Sequence, residues 1–322
     1  MAVVVAYEGF DYPNATALLH NQSGGAGWVG GWIDSDQDMS NALTRDDISL
    51  TSAAFTFAAV GDRISVVGAS EAIRMMGTTF DMAQDGTELY GSFSVRKASD
   101  GGTTNDAVEL RLTSNLTSTE AFRVGIGSSE SLFIDSGAVA TSGVEVLTPG
   151  DTLYFVFKIV SAAAGGDQFF ASVFDPTETV PATEPAVWDA MHTEAVSHVF
   201  NGVRLQTGSS VVGTEFDEIR IGDTWEDVTA VTSYELGDFN NSTTIDPGDL
   251  DALLAGLYVG NTYQEGDIDL NGVVDLRDFN AFREIYLNAG FSLAGYAPAP
   301  EPGAVLLLCW AAILSTPRRR CG

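Results

Sequence analysis

Apolar and polar residues alternate in short runs over the first two-thirds of the chain. Gly, Ser, Asp or Pro breaks the pattern roughly every ten residues. The runs include "AFTFAAVG", "LYGSFSVRK", "AVELRLTS", "AFRVGIG", "SLFIDSG", "TLYFVFKIV", "QFFASVFD", "HVFNGVRLQTG" and "FDEIRIG". So many short strands at this spacing predict a sandwich or barrel. "TLYFVFKIV" is apolar almost throughout, which predicts a central strand covered on both faces. The segment Asp175 to Val187 carries three prolines and is expected to be a loop. "GGAGWVGG" has neither Lys nor a following helix and reads as a loop, not a nucleotide cradle.

The pattern changes near Leu236. Residues 1–230 form the expected mainly-β domain, and residues 236–288 alternate acidic loop, helix, acidic loop and helix. Residues 289–302 include "AGYAPAPEPG", an extended proline-rich linker. Residues 303–322 hold the apolar run "GAVLLLCWAAIL" and then three arginines.

In "DIDLNGVVDLRD", oxygen-bearing Asp267, Asp269, Asn271, Asp275 and Asp278 occupy positions one, three, five, nine and twelve, with Gly272 at six. "DFNNSTTIDPGD" repeats the pattern: Asp238, Asn240, Ser242, Asp246 and Asp249 each precede their counterparts by 29 residues. Position eight is Ile245 in one copy and Val274 in the other. Leu250, Leu253 and Leu257 match Phe279, Phe282 and Tyr286, giving each following helix one buried stripe. Oxygen ligands at this spacing, with a carbonyl at position seven from Thr244 or Val273, suit calcium. A transition metal would want His or Cys, and neither occurs in this region. The alternative is a pair of acidic, solvated turns.

These loops and helices resemble a type I dockerin, whose calcium loops end in Asp where an EF-hand has Glu. The resemblance implies two Ca2+ sites and a cohesin-like partner. Ser242 and Thr243 depart from the family's pattern at five and six, so the second loop is expected to bind more tightly. Positions ten and eleven, Pro247–Gly248 and Leu276–Arg277, do not match each other, which argues against a symmetric cohesin-binding face.

A net charge of −29 excludes nucleic acid and anionic lipid as partners and favours cations. Both cysteines, Cys309 and Cys321, lie in the tail, so no disulfide is expected in the β domain. That tail resembles a PEP-CTERM sorting signal: Pro300, Glu301 and Pro302, an apolar helix, then Arg318, Arg319 and Arg320. The apolar run of about twelve to fourteen residues is short for a permanent span, which needs about twenty. The resemblance implies an exported bacterial surface or envelope protein processed by an exosortase-type enzyme, with a signal peptide upstream of Met1.

"YEGFDYP", "NQSGGAGWVGGW" and "FDEIRIGDTWEDV" resemble concanavalin A-like, laminin-G-type sandwiches, which implies a jelly-roll fold for residues 1–230. Some enzymes of that architecture carry an E-x-D-x-x-E strand. Here Glu215 and Asp217 hold the first two positions, Arg220 stands at the third, and Glu218 points to the opposite face. No catalytic residue is assigned, and the expectation is an ordinary strand whose acidic start is solvated and whose Ile219 and Ile221 turn inward. His192 and His198, in a proline-flanked region, are expected at the surface. Trp28 and Trp32 fit either sugar stacking or core packing. The combined expectation is a non-catalytic glycan- or protein-binding scaffold. A polysaccharide-degrading hydrolase or lyase and a self-assembling matrix protein are the alternatives.

Overall fold

A computed structural model describes residues 4–10, 12, 19–34, 44–46, 49–55, 62–66, 69–97, 107–114, 122–127, 129–137, 140–162, 166–194, 198–208, 213–229, 237–239, 244–260, 265–268 and 273–293. The sorting motif Pro300–Pro302 and Arg318–Arg320 lies outside them. So do Asn240, Ser242, Asp269 and Asn271.

The described strands are β1 (Val4–Glu8), β2 (Trp28–Asp34), β3 (Thr44–Asp46), β4 (Arg63–Val66), β5 (Ser70–Asp81), β6 (Glu88–Lys97), β7 (Val108–Thr113) and β8 (Phe122–Ile126). They continue as β9 (Ser131–Asp135), β10 (Ala140–Val146), β11 (Thr152–Val160), β12 (Asp167–Phe174), β13 (Ala190–Glu194), β14 (Val199–Thr207) and β15 (Thr214–Gly222). Helices α1 (Trp225–Thr229), α2 (Pro247–Gly256) and α3 (Leu276–Asn288) follow.

Two antiparallel sheets stack into a sandwich. One runs β13-β12-β11-β6-β15-β4-β3, with β1 also on β15, and the other runs β10-β9-β8-β7-β14-β5-β2. Alternation turns Leu153, Phe155, Phe157 and Ile159 of β11 into the core between the sheets. There Phe93 stacks on Phe155 with ring centroids 5.0 Å apart, and Phe122 meets Phe157 at 5.4 Å. The opposite face of β11, Tyr154 and Val156, is buried under α1 and the proline-bearing loop through Val180 and Trp225. "TLYFVFKIV" is thus a central strand covered on both faces, which is why it does not alternate.

Three sequence expectations change. "GGAGWVGG" is a loop only as far as Gly27, because Trp28–Asp34 pairs with β5 as an edge strand. A register shift between Val29 and Ile33 admits its glycines, with Gly30 at φ 72°. His192 lies in β13 and is buried, because its ring packs 5.1 Å from Phe169 on the inner face. The acidic start of β15 is not solvated: Asp217 and Glu218 are both 0% exposed. A bulge between Asp217 and Arg220 inserts one residue, Glu218 takes φ 52°, and Ile219 and Ile221 still face the core.

The two C-terminal helices build a second, small core of Phe239, Ile245, Leu250, Leu253, Phe282 and Tyr286, to which Ala26 of the sandwich adds its methyl group.

Candidate metal centre

Both acidic loops fold the same way. In the first, the buried Asp249 carboxylate accepts the Phe239 N–H at 2.8 Å on Oδ1 and the Asp246 N–H at 2.8 Å on Oδ2. In the second, buried Asp278 accepts the Ile268 N–H at 3.0 Å and the Asp275 N–H at 2.7 Å. Asp246 and Asp275 cap their helices, accepting the Gly248 and Arg277 N–H groups at 2.6 Å each. Each set forms a capping box, so each helix begins at position ten of its loop. Position twelve therefore ties position two to position nine and closes the loop upon itself. Position eight, Ile245 or Val274, enters the apolar core and anchors the loop's far side.

Asp238 and Asp267, at position one, are 4% and 2% exposed. Each loop thus buries carboxylates at both ends of one turn, on a scaffold of backbone donors. Ionised carboxylates carried out of water favour a nearby cation. The donor chemistry fits a hard cation, since every predicted ligand is an oxygen. Among the described residues no three His, Cys, Asp or Glu side chains gather as a metal cluster. Positions three and five of both loops lie outside those residues, whereas positions one, seven, nine and twelve lie within them.

The sandwich candidates are placed differently. Trp28 and Trp32 are 1% and 0% exposed, and their indole N–H groups donate to the Tyr7 carbonyl at 2.7 Å and to Glu8 at 3.0 Å. They pack the core and stack on no sugar. Glu8 also pairs with Arg74, a fully enclosed ion pair between the sheets. On β15, Glu215 meets Arg63 at 2.9 Å and also pairs with Arg96. Asp217 accepts the Leu50 and Glu218 N–H groups at 2.8 and 2.7 Å, and Glu218 pairs with Arg220 at 2.9 Å while accepting the Tyr7 hydroxyl at 3.2 Å. Burial, and then the Glu218 charge, pushes the Asp217 carboxyl well up. Asp217 and Glu218 are engaged in holding the bulge, and Glu215 in its two arginine pairs. His198 reaches Glu194 at 3.8 Å, and His192 shares a hydrogen bond with Ser136 at 2.8 Å.

No known protein family and no curated protein matches the chain. Among solved structures it is similar to the globular domain of T. cruzi calreticulin, at 14% identity and TM-score 0.43, covering 70% of this chain and 90% of that one. It is also similar to an endo-β-1,4-glucuronan lyase from the fungus Trichoderma reesei, at 9% identity and TM-score 0.44, covering 70% and 98%. A third is domain 4 of AbnA, a GH43 extracellular arabinanase from Geobacillus stearothermophilus, at 12% identity and TM-score 0.39, covering 71% and 97%. At these scores the likeness bears on neither ligand nor activity.

Proposed function

We propose that this chain is an exported surface or matrix protein in which a non-catalytic, concanavalin A-like sandwich carries a dockerin-like module folded by two calcium ions. The observation that carries this is the repeat at the level of atoms: the same three backbone-to-carboxylate hydrogen bonds recur 29 residues apart, from Asp249 and Asp246 to Asp278 and Asp275. A solvated acidic turn has no need to bury its first and last carboxylates on one scaffold twice.

In the second loop, Asp267, Asp269, Asn271, the Val273 carbonyl, Asp275 and Asp278 would hold the ion. In the first, Asp238, Asn240, Ser242, the Thr244 carbonyl, Asp246 and Asp249 would do so. Calcium supplies positive charge to carboxylates that the fold removes from water. The chain's part is to hold the position-twelve carboxylate through the position-two and position-nine amides and the position-nine carboxylate through the position-eleven amide. Because the module's apolar core is small, ion binding is also folding energy.

A protein partner of cohesin-like type is supported by an apolar patch on the module. Tyr258 and Val259 are 65% and 81% exposed, and Val273 and Leu276 are 50% and 55% exposed. The Tyr258 N–H donates to Val274 at 2.8 Å, and the Val274 N–H to Gly260 at 3.1 Å, which sets these residues side by side. On this reading the C-terminal segment is a sorting signal for an exosortase-type enzyme, and the sandwich engages extracellular glycan.

Equilibrium dialysis of the full chain against radioactive calcium tests the proposal. Two ions per chain are expected. Asp267→Ala should abolish the tighter site and Asp238→Ala the weaker one. Uptake that neither variant changes would overturn it.

A further inference from the structure

We propose that the outer face of strands β13, β12 and β11 is a binding platform for an uncharged saccharide, with Trp188 and Phe170 as its stacking surface. This names a site for the glycan-binding half of the proposed function and is independent of the calcium loops.

The register builds the floor. Met191, Phe170, Lys158 and Tyr90 stand opposite one another across β13, β12, β11 and β6 on the face turned away from the main core. Thr193, Gln168, Val160 and Glu88 form the neighbouring row. The loop between β12 and β13 roofs Tyr154 and Val156 and stops at Lys158. There Glu184 accepts from Lys158 Nζ at 3.1 and 3.2 Å and from the Tyr90 hydroxyl at 2.6 Å. The roof's end is a wall of Glu184, Val187 and Trp188 beside an open sheet.

Trp188 is fixed but not closed off. Its ring lies 5.7 Å from Phe170 and meets Trp225 edge-on at 5.7 Å, yet it remains half-buried only. The Trp225 indole N–H is spent on the Pro181 carbonyl at 3.0 Å, whereas that of Trp188 has no hydrogen bond among the described residues. Met191 and Val187, 55% and 81% exposed, extend the apolar surface. Exposed Gln168 and Thr193 border it with donors and acceptors. Rigid aromatic surface beside unspent hydrogen-bonding groups matches a pyranose, which offers a C–H face and a hydroxyl rim.

Charge selects the class. Among the described residues, Lys158 is the cation of these two rows, and it is already held by Glu184 and by Glu88 at 3.3 Å, with its ammonium 4.8 Å from the centre of the Tyr90 ring. Among the described residues, no guanidinium stands in these two rows to receive a carboxylate or sulfate, and the chain's −29 charge repels polyanions. The occupant is therefore a neutral sugar chain.

The test is affinity electrophoresis of the full chain through gels containing β-glucan, xylan or galactomannan, with polygalacturonate as the anionic control. At least one neutral polysaccharide should retard the protein and polygalacturonate should not. Trp188→Ala and Met191→Asp should each weaken retardation at least tenfold, and EDTA should leave it unchanged. Met191 is exposed, so its variant decides the matter if Trp188→Ala melts early. Retardation unchanged in Met191→Asp and in folded Trp188→Ala would overturn the platform while leaving glycan binding standing. Retardation by no neutral polysaccharide would overturn both. Retardation by polygalacturonate alone, lost with added salt, would overturn the uncharged class.

Discussion

Replacing Asp278 by Ala removes the acceptor of two buried or half-buried amides, those of Ile268 at 3.0 Å and Asp275 at 2.7 Å. A hydrogen bond to a charged group contributes about 1.5–3 kcal/mol net, so the pair amounts to about 3–6 kcal/mol. A module of roughly fifty residues holds only about 2.5–7.5 kcal/mol in all. Asp278→Ala should therefore loosen the module even without metal, whereas Asp278→Asn, which keeps one acceptor oxygen, should lose about half as much. The assay is hydrogen exchange of the full chain in EDTA, read on peptides from 265 to 293. Protection of α3 should fall by roughly a hundred- to ten-thousand-fold in the Ala variant and by an intermediate factor in the Asn variant, at about 1.4 kcal/mol per decade. Protection of β11 should not move. Exchange in α3 as slow as wild type in EDTA would refute the structural role given to position twelve.

Two further outcomes concern the sandwich. Glu8→Gln leaves the enclosed Arg74 charge without its carboxylate, which should lower the sandwich's stability by about 3–5 kcal/mol in thermal unfolding. Glu8→Gln with Arg74→Met should recover part of that loss, and no recovery would show that the pair acts through packing alone. Burial holds the His192 imidazole below its ordinary value of 6.5, so the folded state prefers the neutral ring. The stability it permits is full above 6.5 and is lost as pH falls through that value toward the lower folded one. His192→Gln should flatten the part of the melting-temperature profile just below pH 6.5, on which the raised carboxyls of Asp167 and Asp217 act with opposite sign.

The β-rich character was legible because punctuation by Gly, Pro and Asp is local, and "TLYFVFKIV" announced its two covered faces by failing to alternate. The repeat of two acidic loops, each capping a helix, was legible for a similar reason: its twelve positions are consecutive, and one copy checks the other. Features set by partners distant in sequence were not legible. The Trp28 strand was hidden by glycines that a register shift accommodates. His192 looked solvent-facing until Phe169, on a different strand, covered it. Glu218 defeated the alternation argument because a residue at φ 52° resets the period, and the arginine and tyrosine that hold it come from Arg220 across the bulge and Tyr7 on β1. The Trp188 platform left no signal in a proline-rich segment, since its floor belongs to four strands elsewhere in the chain.

The most direct measurement is differential scanning calorimetry of the full chain in EDTA and in calcium. Two transitions are predicted. The sandwich transition should stay where it is, and the module's should rise with calcium, gaining about 2.7 kcal/mol at a hundred times the dissociation constant. Two transitions that both ignore millimolar calcium would contradict the account, leaving Asp238–Asp249 and Asp267–Asp278 as well-capped acidic turns and nothing more.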